Sequence, residues 1–99
     1  MNQIIEKINV KNKALFLDRD GVINRDFGHV YEIDKFELID NINILIKKAM
    51  ECNYKIIVVT NQAGIGREIY TIDEFKKITK YMKALLLKYD CKIDAVYYC

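Results

Sequence analysis

The sequence contains no proline, and no proline-rich linker, low-complexity run or internal repeat divides it. Long apolar runs are missing as well. The longest, Ala14 to Leu17, Ile56 to Val59 and Ala84 to Leu87, are far too short to span a bilayer, so no membrane association is expected. Met1 to Asn12 alternates apolar with charged residues and lacks the apolar core of a signal peptide. An excess of either charge is absent: 16 basic residues against 14 acidic ones leave +2. No basic cluster is interleaved with aromatics, which argues against nucleic acid and against an anionic membrane surface. Cysteine is sparse and odd in number. Cys52, Cys91 and Cys99 suit a reducing cytoplasm better than a disulfide scaffold. What remains, at 99 residues with 52% hydrophobic and 30% charged, is one small globular domain.

The apolar pattern alternates strand and helix. Ala14-Leu15-Phe16-Leu17 reads as a buried strand that stops at Asp18-Arg19-Asp20-Gly21. From Val22 to about Phe36 no period emerges, which predicts a long loop. Ile42, Leu45, Ile46 and Ala49 form the stripe of a helix over about Asn41 to Cys52, with Asp40 or Asn41 to cap it. Lys55 to Thr60 is β-branched and repeats the first strand. Thr71-Ile72-Asp73-Glu74 has capping-box spacing and opens a helix to about Tyr89, with Phe75, Ile78, Met82 and Leu85 or Leu86 inward. Ile93 to Tyr98 predicts a third strand. The order β-α-β-α-β requires a parallel sheet, and ligands of such sheets bind outside the carboxyl ends of the strands. That rule singles out Asp18 to Gly21, Thr60 to Gly66 and Cys99.

Asp18 and Asp20 stand two apart where a strand gives way to a loop. Carboxylates so close repel unless a cation or hydrogen bonds compensate, and Mg²⁺ prefers oxygen ligands of this kind. One could attack phosphorus while the other handles the proton of the leaving oxygen. Taken alone, such a pair is commonplace and reads better as a solvated acidic turn. Thr60 and Asn61 occupy the matching strand end one unit later, where a hydroxyl and an amide could hold phosphoryl oxygens, though such residues also simply end strands. Backbone amides around Gly64-Ile65-Gly66 could add an anion nest. Together the two clusters indicate a Mg²⁺ and phosphate site.

Asp18-Arg19-Asp20-Gly21-Val22-Ile23-Asn24 resembles the first motif of the haloacid dehalogenase superfamily, and Val59-Thr60-Asn61-Gln62-Ala63-Gly64-Ile65 resembles its second motif. The second is in the form shared by heptose bisphosphate phosphatases and histidinol-phosphate phosphatases. Gly28 to Asp34 and Val96 to Cys99 favour the heptose branch. The resemblance runs from about Lys13 to Cys99. It implies a Rossmann-like three-layer α/β/α fold with a parallel sheet, truncated after the third core strand, so that residues 1–99 form a single incomplete domain. It further implies Asp18 as nucleophile and Mg²⁺ ligand, Asp20 as general acid/base and Mg²⁺ ligand, and Thr60 as the residue that orients the phosphoryl group. Arg19, Asp26, Phe27, Gly28, His29, Asn61, Gln62 and Ala63, with Thr60, would receive a phosphorylated sugar. Cys99 matches the first ligand of a structural Zn²⁺ site found in many relatives, although one cysteine cannot make a site that takes four ligands.

The family's later lysine and last acidic metal ligand fall beyond residue 99, and the strand carrying Asp18 is expected to have an unpaired edge that could pair with another chain. Two other readings follow: a catalytically incomplete fragment that only binds Mg²⁺, phosphate or a partner chain, and a phosphoacceptor signalling domain. The last ranks lowest, because such domains place their acidic pair and phosphorylated aspartate on different strands.

Overall fold

The computed structural model describes residues 13–99; the expectations for Met1 to Asn12 fall outside the described residues. Three strands form one parallel sheet. β1 (Lys13–Asp18) pairs with β2 (Tyr54–Thr60), and β2 pairs with β3 (Ala95–Tyr98), so strand order equals chain order. The β-branched run Ile56-Ile57-Val58-Val59 occupies the central strand, where pleated packing favours such side chains. The register sets Asp18 opposite Val59 and Thr60 opposite Tyr98, bringing the ends of all three strands to one edge.

Side chains alternate across the sheet, and its two faces differ. Leu17, Ile56 and Val58 are buried in one cluster with Ile42, Ile46, Phe75, Ile78, Met82 and Leu86 from the helices. The opposite face carries Phe16, 65% exposed, and Tyr97, 62% exposed, on either side of Val59. The described residues thus supply the parallel sheet and one helical layer of the expected three-layer arrangement. Among the described residues β1 is an edge strand, as the sequence predicted.

The first helix, α1 (Ile42–Glu51), matches its expected range, but its cap does not. Asn41 precedes it in the left-handed conformation, φ 68°, with no side-chain capping bond, and the Asp40 carboxylate lies instead 3.6 Å from Arg25. Leu45 was expected inward and is exposed. The buried stripe runs through Ile42 and Ile46, and at about 100° per residue Leu45 falls on its flank. The loop from Val22 contains one 3₁₀ turn, Ile33–Lys35. A single helical turn, α2 (Ala63–Gly66), follows β2, and α3 (Ile72–Leu87) crosses back to β3.

In α3 the capping box closes in both directions: the Thr71 amide donates to Glu74 Oε1 at 2.9 Å, and the Glu74 amide donates to Thr71 Oγ1 at 3.1 Å. Thr71→Ala is expected to cost about 1 kcal/mol, read as a lower urea midpoint at an unchanged slope. Phe75, Ile78, Met82 and Leu86 face the core as predicted. The helix stops at Leu87, where Asp90 turns left-handed at φ 60° and the Cys91 amide bonds back to the Leu86 carbonyl. The third strand starts at Ala95, two residues later than predicted. Asp94 bonds Ile56 through its own amide and, via its carboxylate, through the Ile56 amide, and Ile93 is tucked into the core.

Candidate active site

Asp18 is the last residue of β1 and is exposed at the strand end. Beyond it the chain coils around one carbonyl: Arg19 O accepts from the amides of Val22, Ile23 and Asn24 at 3.2, 2.8 and 3.1 Å. That turn brings Asp20 back over the strand end. Asp20 Oδ1 is then saturated, with Arg19 Nε at 3.0 Å, Arg19 Nη2 at 2.7 Å and Asn24 Nδ2 at 3.0 Å all donating to it. Its other oxygen has only the Gln62 amide, at 3.5 Å. One oxygen is therefore held and the other left for chemistry. Charge-assisted bonds of this kind are about twice as strong as neutral ones, so the carboxylate is firmly oriented.

Arg19 itself is 1% exposed. Sequence reasoning grouped it with the substrate-facing residues, but its guanidinium grips Asp20 and donates to the Val30 carbonyl at 2.6 Å. It fastens the loop to the acid from beneath. Asn24 was passed over as a site residue, although it stands within the first motif; nothing in its spacing announces that the chain curls back on Asp20.

Thr60 closes β2 one residue past Val59, the register partner of Asp18. It is buried, and its Oγ1 accepts from Gln62 Nε2 at 2.5 Å. Gln62 Oε1 in turn accepts from the Tyr70 hydroxyl. Tyr70 stacks on Tyr31 with ring centroids 5.0 Å apart and lies 6.2 Å from the His29 ring. Burial pushes its hydroxyl above the ordinary tyrosine value, with the Arg19 charge partly opposing, so it is a proton donor at neutral pH. Tyr70 carries no motif signal. An aromatic immediately before a capping box reads as packing against the helix.

The remaining predicted residues divide in two. Asn61 and Ala63 are exposed beside Thr60. Asp26, Phe27, Gly28 and His29 form the loop on the other side, where Asp26 accepts from the Gly28 amide at 2.9 Å. Gly28 and His29 are both left-handed, φ 77° and 42°, a conformation that glycine adopts freely and histidine only under constraint. With Tyr31 and Ile69, the loop residues Phe27, Gly28 and His29 line a cavity of about 560 Å³, to which Asp18, Asp20, Asp26 and Thr60 do not contribute. The expected anion nest is replaced by the helical turn α2, whose Ile65 and Arg67 amides donate to the Gln62 and Ala63 carbonyls.

For a cation, the Asp18 carboxylate and the Asp20 carbonyl, which accepts no backbone hydrogen bond among the described residues, offer the hard oxygen donors that Mg²⁺ selects. No cluster of three or more His, Cys, Asp or Glu is present among the described residues, so exposed Cys99 has no companions there for zinc. Among those residues no helix is long and apolar enough to cross a membrane.

In sequence and fold the chain matches the N-terminal part of haloacid dehalogenase-like phosphatases. The individual relatives are more specific. The chain is 52% identical over 91% of its length to D-glycero-alpha-D-manno-heptose-1,7-bisphosphate 7-phosphatase of Burkholderia mallei, of which it covers 48%. It is 42% identical over 89% of its length to D-glycero-beta-D-manno-heptose-1,7-bisphosphate 7-phosphatase of Haemophilus influenzae, again covering 48%. The crystal structure of D,D-heptose 1,7-bisphosphate phosphatase from B. bronchiseptica, complexed with magnesium and phosphate, superposes with a TM-score of 0.81 at 26% identity, covering 88% of this chain and 49% of that one. The chain spans about half the length of the curated relatives it matches. No protein-family model matches it.

Proposed function

We propose that this chain carries the nucleophile-bearing part of a Mg²⁺-dependent phosphatase that removes the 7-phosphate of D-glycero-D-manno-heptose 1,7-bisphosphate. The observation that carries the reading is the parallel register of β1 and β2, which seats Asp18 next to the Val59–Thr60 step while Arg19 and Asn24 orient Asp20. Residues 1–99 are then part of one phosphatase domain. The curated relatives carry the names of both anomers, so the reading stops at the heptose bisphosphate.

In this mechanism an Asp18 oxygen attacks phosphorus and the sugar oxygen leaves with a proton from the free oxygen of Asp20. Asp20 then removes a proton from the water that attacks the aspartyl phosphate, releasing phosphate and restoring Asp18. The Thr60 hydroxyl donates to a phosphoryl oxygen and holds the group in line. Asn61, Ala63 and the Asp26–His29 loop face the sugar. When bound by the Asp18 carboxylate and the Asp20 carbonyl, Mg²⁺ supplies the positive charge that phosphoryl transfer requires. The magnesium in the matching crystal structure supports this, and the three free cysteines suit a cytoplasmic setting.

The test is phosphate release from heptose 1,7-bisphosphate, and from histidinol phosphate for comparison, with and without Mg²⁺. Release should require the metal, favour the heptose, and fall below detection in Asp18→Asn. Release that survives Asp18→Asn would remove Asp18 as nucleophile. A folded chain that releases nothing would show that these residues do not turn over substrate by themselves.

A further inference from the structure

Thr60, Gln62 and Tyr70 are each nine-tenths buried or more, at 3%, 3% and 4% exposed, and their hydrogen bonds all run in one direction. The Tyr70 hydroxyl donates to Gln62 Oε1, which fixes the amide so that Nε2 faces Thr60 Oγ1 at 2.5 Å and Asp20 Oδ2 at 3.5 Å. A threonine hydroxyl has one proton and two lone pairs. With a lone pair already engaged by Gln62, its proton is turned away from the amide.

We infer that Tyr70 is a positioning residue: acting through Gln62, it commits the Thr60 hydroxyl to donate toward an anion at the strand ends. Each bond in such a series polarises the next. Without the tyrosine hydroxyl the Gln62 amide could rotate and present its oxygen to Thr60, which would draw the Thr60 proton inward and leave a lone pair facing the anion. Gly64 supports this arrangement by its missing side chain, because the Tyr70 ring lies where a Cβ would stand. Burial keeps the Tyr70 hydroxyl protonated, so the direction holds at neutral pH. The inference rests on the proposed function for the identity of the anion, a phosphoryl group, but not for the direction of the bonds.

Calorimetric titration with inorganic phosphate in the presence of Mg²⁺, on the full chain, tests it. Tyr70→Phe keeps the ring and removes the donor; it should weaken phosphate binding about tenfold and leave Mg²⁺ affinity within about twofold. Gln62→Met should give a similar loss. The double variant should be no weaker than Gln62→Met alone, because the two residues act in one series. The Gln62 side-chain amide resonances should also shift and lose exchange protection in Tyr70→Phe. Phosphate affinity unchanged in a folded Tyr70→Phe, or losses that simply add in the double variant, would overturn the positioning role while leaving the phosphatase reading intact. A wild-type chain that binds Mg²⁺ but no phosphate would overturn both.

Discussion

Replacing Arg19 by methionine is expected to lower the stability of the chain by about 3 kcal/mol. The guanidinium is almost wholly buried and serves two acceptors, the Asp20 carboxylate and the Val30 carbonyl. Methionine fills much of the volume but donates nothing, so the Asp20 carboxylate loses its cationic partner and the Val30 carbonyl its donor together. Arg19→Lys should recover only part of the loss. A single ammonium cannot reproduce two bonds from separate nitrogens converging on one oxygen and a third bond to a carbonyl 11 residues away. Chemical unfolding would measure both variants. A change below about 0.5 kcal/mol in the methionine variant, the range of ordinary surface substitutions, would mean that the clamp does not hold in solution.

The second large effect is expected at Gly64. An alanine Cβ there would collide with the Tyr70 ring and lie 2.9 Å from His29 Nδ1. Tyr70 has little room to retreat, being stacked on Tyr31 and bonded to Gln62. Overpacking of this kind costs about 1–3 kcal/mol, and here it should also displace the Gln62 amide. Gly66→Ala is the matched control, since a Cβ at that position meets nothing within 4 Å and Gly66 lies in the same helical turn. It should be neutral or slightly stabilising. Thermal melts with near-ultraviolet dichroism would separate the two, because only Gly64→Ala should alter the tyrosine signals. Equal behaviour of the pair would contradict the close seating of Tyr70.

The strands and helices were legible because their signals are local. The β-branched run of β2, the apolar period of α3 and the Thr71–Glu74 box each fix an element without reference to distant residues. The strand-end rule then led to Asp18, Asp20 and Thr60 before any coordinates. What the sequence hid was the set of contacts that orient those residues. Asn24 bonds Asp20 because a turn coils around the Arg19 carbonyl, and Tyr70 reaches Gln62 across eight residues. Neither contact leaves a periodic trace. The family resemblance groups Arg19 with the substrate residues, whereas its partners are internal, the Asp20 carboxylate and the Val30 carbonyl, and one of them lies 11 residues along the chain. Leu45 was assigned inward because a four-residue stripe cannot reveal which of its flanks the sheet leaves uncovered.

Strand order equal to chain order has a consequence for how the molecule assembles. Each strand adds beside its predecessor, so closing the first β-α-β unit already places Asp18 against the end of β2. The Arg19 clamp on Asp20 and the Tyr70–Gln62–Thr60 series lie entirely between residues 18 and 70, upstream of β3 and of all of α3. As the chain emerges from the ribosome, the corner that holds Asp18, Asp20 and Thr60 therefore has these contacts available before β3 has been synthesised.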